Sequence, residues 1–244
     1  MRGKSAQLAL PFDPPPRFEP VDLIEAGSNA EARAWLARTG EWPGARLALW
    51  GPAGCGKTHL LHGWALRAGA EILRGPDLDP ELVPGPLEGA MAIDDAEQAP
   101  ELALLRLLNT AGEAGQPVLL AGRAPPARWP VRLPDLASRL RAITAVAIGA
   151  AEDELLRLLL RRLLMERQIG VAEAVQSFLL LHLPRTPAAV RLAAARLDRA
   201  ALAAGRAVTR GLAEQVLADL LVLEPGDRGR GDSVTLSPHD RAIV

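Results

Sequence analysis

Short apolar runs recur through the first 150 residues, at 47–50, 70–73, 91–93, 118–121 and 143–148, with polar or helix-patterned segments between them. Runs of this length bounded by turn residues predict buried strands, and their alternation with helices predicts a mostly parallel sheet covered on both faces. In such a sheet the ligand site lies at the carboxyl ends of the strands. The pattern then changes. Residues 151–167 carry apolar positions at helical spacing, with Glu152, Asp153 and Glu154 at the start and Arg161, Arg162 and Arg167 later, an order that suits the helix dipole. Segments 172–183, 187–204 and 209–221 give three more helical patterns, with Pro187 suited to a first turn and Gly205 to a helix stop. Near the beginning, residues 28–36 predict a further helix with Ser28 as N-cap and Glu31 completing a capping box.

The phosphate chemistry sits where the first strand pattern ends. Residues 51–62 read Gly-Pro-Ala-Gly-Cys-Gly-Lys-Thr-His-Leu-Leu-His, between the apolar run 47–50 and a helical pattern. Gly51, Gly54 and Gly56 let consecutive backbone N–H groups turn toward a phosphate, with Pro52, Cys55 and His59 completing the loop. Lys57 reaches the outer phosphates and Thr58 ligates Mg²⁺. The run Ala90-Met91-Ala92-Ile93 ends in Asp94 and Asp95, where Asp94 is placed for the Mg²⁺ shell and Asp95 for polarising water.

Bulk properties narrow the function classes. With 28 Lys and Arg against 29 Asp and Glu, the formal charge of −1 supplies no global field for DNA or an anionic membrane. Cys55 is the only cysteine, which excludes an intrachain disulfide and fits a reducing, cytoplasmic setting. The first residues lack the apolar core of a signal peptide, and the alanine-rich stretch 142–151 is too short to span a bilayer. A composition 49% hydrophobic, rich in Leu, Ala and Arg and without Tyr, fits helices with aliphatic cores.

The motif at 56–62, with Asp94 and Asp95, resembles the DnaA branch of the AAA+ ATPases. The resemblance covers about residues 18–222. It implies an α/β P-loop AAA+ core with a parallel five-stranded sheet, over 18–149, followed by a small all-α lid domain over 150–222. Gly27-Ser28-Asn29 resembles the segment that helps to hold adenine in that branch. Leu136-Ala137-Ser138-Arg139-Leu140 resembles the arginine-finger motif and so assigns the finger to Arg139. Ala189-Val190-Arg191-Leu192 aligns with the lid motif that carries a nucleotide-sensing arginine, which selects Arg191, with Arg185 as the alternative. The implied cofactors are ADP or ATP with Mg²⁺.

Three departures separate the chain from full-length initiators. Residues 223–244 contain glycines and no periodicity, the pattern of a disordered tail rather than of a helix-turn-helix domain. Between Leu73 and Met91, repeated prolines and glycines leave little room for the helical insertion that engages single-stranded DNA. At the strand 118–121, Ala121 stands where the family often places a polar residue beside the γ-phosphate, so weak or absent ATP turnover by the chain itself is expected.

Residues 1–17 form a separate unit: a peptide followed by the semi-rigid run Asp13-Pro14-Pro15-Pro16. The stretch Gln7-Leu8-Ala9-Leu10-Pro11-Phe12 resembles the peptide by which bacterial proteins dock on the sliding clamp of DNA polymerase III. Gln7 supplies an amide for orientation, Leu8, Leu10 and Phe12 supply apolar anchors, and Pro11 favours an extended backbone. Together with the core, this resembles the regulatory branch of the family known as Hda, in its alphaproteobacterial form. That resemblance implies a regulator of replication initiation that binds adenine nucleotide and the DNA-loaded clamp and stimulates hydrolysis of DnaA-bound ATP. The implied partners are the β sliding clamp, DnaA and further copies of the chain, with neither sequence-specific DNA binding nor a membrane. The alternatives are an independent ATPase of helicase-loader type and a non-catalytic clamp-bound scaffold.

Overall fold

The computed structural model describes residues 24–81, 89–204 and 208–222. Sequence-derived features that fall outside them are the unit 1–17, with Gln7, Leu8, Leu10, Pro11, Phe12 and the run Asp13-Pro14-Pro15-Pro16, residues 82–88 of the proline- and glycine-rich stretch, the stop at Gly205, and the tail from 223 onward.

The apolar runs become strands β1 (Arg46–Trp50), β2 (Glu71–Arg74), β3 (Met91–Asp94), β4 (Val118–Gly122) and β5 (Thr144–Ala147). They form one five-stranded sheet in the order β2-β3-β4-β1-β5, and each neighbouring pair is parallel. The central strand β4 is buried along its whole length, which is why its sequence is continuously apolar rather than alternating. Side chains leave the sheet on alternate faces. Ala48, Met91, Ile93, Val118 and Leu120 pack on one side against helices α3 (Glu101–Glu113) and α4 (Pro134–Ala142). Leu47, Leu49, Ala92, Leu119, Ala121 and Val146 pack on the other against α1 (Gly27–Leu36) and α2 (Lys57–Ala68).

Helices α5 (Asp153–Glu166), α6 (Glu173–His182), α7 (Pro187–Ala204) and α8 (Arg210–Val222) share a third apolar cluster. Leu156, Leu160, Leu179, Val190, Leu197 and Ala213 lie at its centre. Burying a leucine side chain contributes about 2 kcal/mol, so this cluster supplies a core separate from that of the sheet.

The start of α1 differs from the capping box at Ser28 and Glu31. The helix begins at Gly27, and Ser28 lies within its first turn. Asn29 Oδ1 accepts the Ala26 N–H at 3.2 Å, and Asn29 Nδ2 donates to the Ile24 carbonyl at 2.9 Å. The nearby amide therefore outcompetes the serine hydroxyl for shaping the helix entry.

Candidate functional site

The loop after β1 lies where the ends of neighbouring strands meet. Gly51 N–H donates to the Gly122 carbonyl at 3.3 Å, and Ile148 N–H donates to the Trp50 carbonyl at 2.7 Å. Gly51 is sterically required, because a Cβ there would sit 2.4 Å from the Ile148 oxygen. Gly54 and Gly56 hold φ of 75° and 105°, in the region that favours glycine, and Gly56 leads directly into α2. The α2 N-terminus thus opens at the loop with its backbone N–H groups directed outward, the geometry that receives an anion.

Lys57 Nζ donates to the loop carbonyls of Gly51 at 2.8 Å and Pro52 at 2.9 Å, so its ammonium stands over the loop. Thr58 Oγ1 donates to Asp94 Oδ2 at 2.8 Å and joins α2 to the end of β3. This hydroxyl and carboxylate form the all-oxygen donor set that Mg²⁺ takes when phosphates supply its remaining ligands. Thr58 and Asp94 are the residues that would hold the ion, and bound Mg²⁺ would neutralise phosphate charge there. Asp95 follows in the left-handed region at φ 50°, 3.8 Å from Arg74 Nη2. Burial lowers the pKa of His62 on α2, against the opposing pull of Asp94.

A cleft adjoins the loop. Ile24 and Asn29 wall it from the N-terminal side, and Cys55, Gly56, His59 and Leu60 from the loop and α2. Leu155 and Leu159 close it from α5, and Pro187 and Arg191 from α7. An apolar cleft with few polar groups, placed beside a phosphate loop, has the character of a nucleoside pocket. Asn29 and Arg191 thus line one cleft, with Cys55 and His59 of the predicted loop. Gly27 and Ser28 do not line it. They face the junction between β5 and α5, where Gly149 N–H donates to the Ser28 carbonyl at 3.0 Å. Arg185, the alternative to Arg191, forms an exposed ion pair with Asp153 instead. Ile24, Leu155, Leu159 and Pro187 were not legible as wall residues, since apolar spacing on α5 marks core and cleft positions alike.

Ala121 is fully buried, level with Leu49 on the α2 face of the sheet, and offers no polar atom there. Arg139 lies elsewhere. It sits in the second half of α4, which ends just before β5 begins opposite Leu47, at the amino end of β1. Its Nε lies 3.4 Å from Asp135 Oδ1. Arg46, the first residue of β1, donates to the Leu108 carbonyl at 2.7 Å. Its pKa is lowered by burial and, secondarily, by the Arg139 charge. A strand of five residues separates that end from the phosphate loop by about 16 Å.

No family model matches the chain. Solved structures similar to it include domain III of the Thermotoga maritima replication initiation protein DnaA. The TM-score is 0.70 at 17% identity, covering 83% of this chain and 96% of that one. AMPPCP-bound DnaA from Aquifex aeolicus gives a TM-score of 0.57 at 17% identity, over 70% of this chain and 62% of that one. The Thermotoga maritima RuvB Holliday junction branch migration motor gives 0.60 at 20% identity, over 80% and 70%. The chain has the AAA+ P-loop fold that these proteins share.

Proposed function

We propose that the chain is a DnaA-related AAA+ regulator of replication initiation. It holds ADP or ATP with Mg²⁺ in its own cleft and docks on the sliding clamp through Gln7, Leu8, Leu10, Pro11 and Phe12. It directs Arg139 at ATP bound by DnaA. The separation of Arg139 from Lys57, Thr58 and Asp94 carries this reading. A guanidinium on the far end of the sheet cannot serve the nucleotide of its own loop, and is available to that of another subunit. There it stabilises the charge that spreads over the transferring phosphoryl group.

The nucleotide half of the proposal draws support from the loop geometry and from the AMPPCP-bound neighbour. Lys57, the α2 amides and Arg191 bind and orient the phosphates, while Ile24, Leu155 and Leu159 exclude water from the nucleoside. Asp95 is the residue placed to orient a water near the terminal phosphate. With Ala121 buried and apolar, the chain's own turnover is slow and the bound nucleotide sets a conformation.

The test is hydrolysis of DnaA-bound ATP with and without DNA-loaded clamp. The chain accelerates hydrolysis when clamp is present. Arg139→Ala removes most of that acceleration, because a supplied arginine finger is worth about 10³ or more in rate. Normal acceleration by Arg139→Ala would overturn the assignment. A second reading, an independent ATPase motor, is favoured by the likeness to RuvB. It predicts DNA-stimulated ATP turnover by the isolated chain.

A further inference from the structure

At the start of helix α1, Asn29 takes the Ala26 N–H, but the N-cap position supplies no side-chain acceptor to the amides that follow. The N-cap residue is Ala26, which offers no side-chain oxygen to the first-turn amides. The acceptor arrives instead from 124 residues further along the chain, where Glu152 Oε1 receives the Ser28 N–H at 2.7 Å. Glu152 is itself the N-cap residue of α5, yet its carboxylate makes no cap to that helix. The side chain therefore serves the other helix. Gly27 makes room for it, since a Cβ there would lie 2.9 Å from Oε1. Beside this contact, Gly149 N–H donates to the Ser28 carbonyl, so the strand-to-lid junction grips the start of α1 from two sides.

The joined elements are the ones that wall the cleft. Ile24 and Asn29 stand at the α1 entry, and Leu155 and Leu159 lie on α5 within two turns of Glu152. We propose that Glu152 is a positioning residue of the nucleotide cleft, supplying across the junction the acceptor that Ala26 cannot offer the Ser28 N–H and thereby holding the Ile24 and Asn29 wall against α5. The charge suits the place, because a carboxylate at a helix N-terminus is stabilised by the helix dipole and by a charge-assisted hydrogen bond. The consequence is a mechanical link: the angle of the lid and the entry of α1 cannot change independently while the contact holds. This role rests on the reading of the cleft as a nucleotide site.

Two measurements on the full chain test it: amide hydrogen exchange at Ser28 and calorimetric titration with ADP. A helix cap is worth about 1 kcal/mol, so Glu152→Ala speeds Ser28 exchange and weakens ADP binding by about fivefold each. Glu152→Gln keeps an acceptor oxygen and recovers a large part of both. Gly27→Ala, which pushes the carboxylate away, reproduces the exchange effect with Glu152 intact. Unchanged Ser28 exchange in Glu152→Ala would overturn the cap, and fast Ser28 exchange with unaltered ADP affinity would overturn the positioning role. Faster exchange spread equally through α3 would reduce Glu152 to a general stabiliser and also overturn it. Should the wild-type chain bind no ADP while Ser28 exchange still responds to Glu152→Ala, the nucleotide reading is what has failed, and the positioning role falls with it.

Discussion

A methyl group on Gly51 would approach the Ile148 oxygen to 2.4 Å and Cys55 Sγ to 2.9 Å. The carbonyl belongs to backbone already bonded to the β1 end, so the loop rather than the strand must move. Gly51→Ala is expected to destabilise the fold by about 1–3 kcal/mol, read as a lowered melting temperature, and to weaken ADP binding in the same variant. Lys57→Ala separates the two effects. It removes charge-assisted bonds to phosphate worth about 1.5–3 kcal/mol, so ADP affinity falls about 10- to 100-fold, while loss of the bonds to the Gly51 and Pro52 carbonyls, one of them exposed, lowers the melting temperature of the nucleotide-free chain less than Gly51→Ala does. These residues were legible from sequence because the loop motif encodes its own geometry: the glycines set the turn, and adjacency delivers Lys57 and Thr58. Ser28 was not legible. Its type and its spacing to Glu31 argued for a local cap, whereas Asn29 takes the Ala26 N–H and the distant Glu152 the Ser28 N–H, and no local pattern signals a partner 124 residues away.

At the scale of elements, the strands followed closely from the apolar runs, since continuous burial in a parallel sheet leaves a continuous apolar signature. The connections left no such trace. Glu101, the first residue of α3, accepts the Arg132 N–H at 2.9 and 3.0 Å and the Leu133 N–H at 2.8 Å, pinning the segment that leads into α4 and Arg139. These backbone bonds hold its carboxyl below its ordinary value near 4.5. A lowered folded value means that the bonds contribute fully above the unfolded pKa and that the contribution is lost as pH falls through the folded one. Glu101→Gln is therefore expected to be less stable than wild type at pH 7. The gap narrows progressively as pH drops below about 4.5, measured as urea midpoints along a pH series. A gap independent of pH would show that the carboxylate charge plays no part in holding the segment.

For the whole molecule, the decisive arrangement is a cleft shared by the sheet's loop, the α1 entry and two helices of the α5–α8 cluster. Sequence announced each contributor separately and gave no sign of which faces would meet, because that depends on how two cores with their own apolar clusters are set against each other. The same scale governs the recruitment to DNA that the proposed function requires. A formal charge of −1 releases few counterions on contact with phosphates, so binding of the chain alone to duplex DNA is expected to be negligible near physiological salt. Under the proposed docking on the clamp, delivery by a ring already loaded on DNA would replace that missing field, because tethering raises the local concentration of a second contact into the millimolar range without requiring basic surface. Cosedimentation with DNA should then depend on loaded clamp and vanish in Gln7→Ala, whose ADP affinity remains that of wild type. Retention on bare DNA that falls steeply with salt would instead assign the DNA contact to the AAA+ body itself and favour the motor reading.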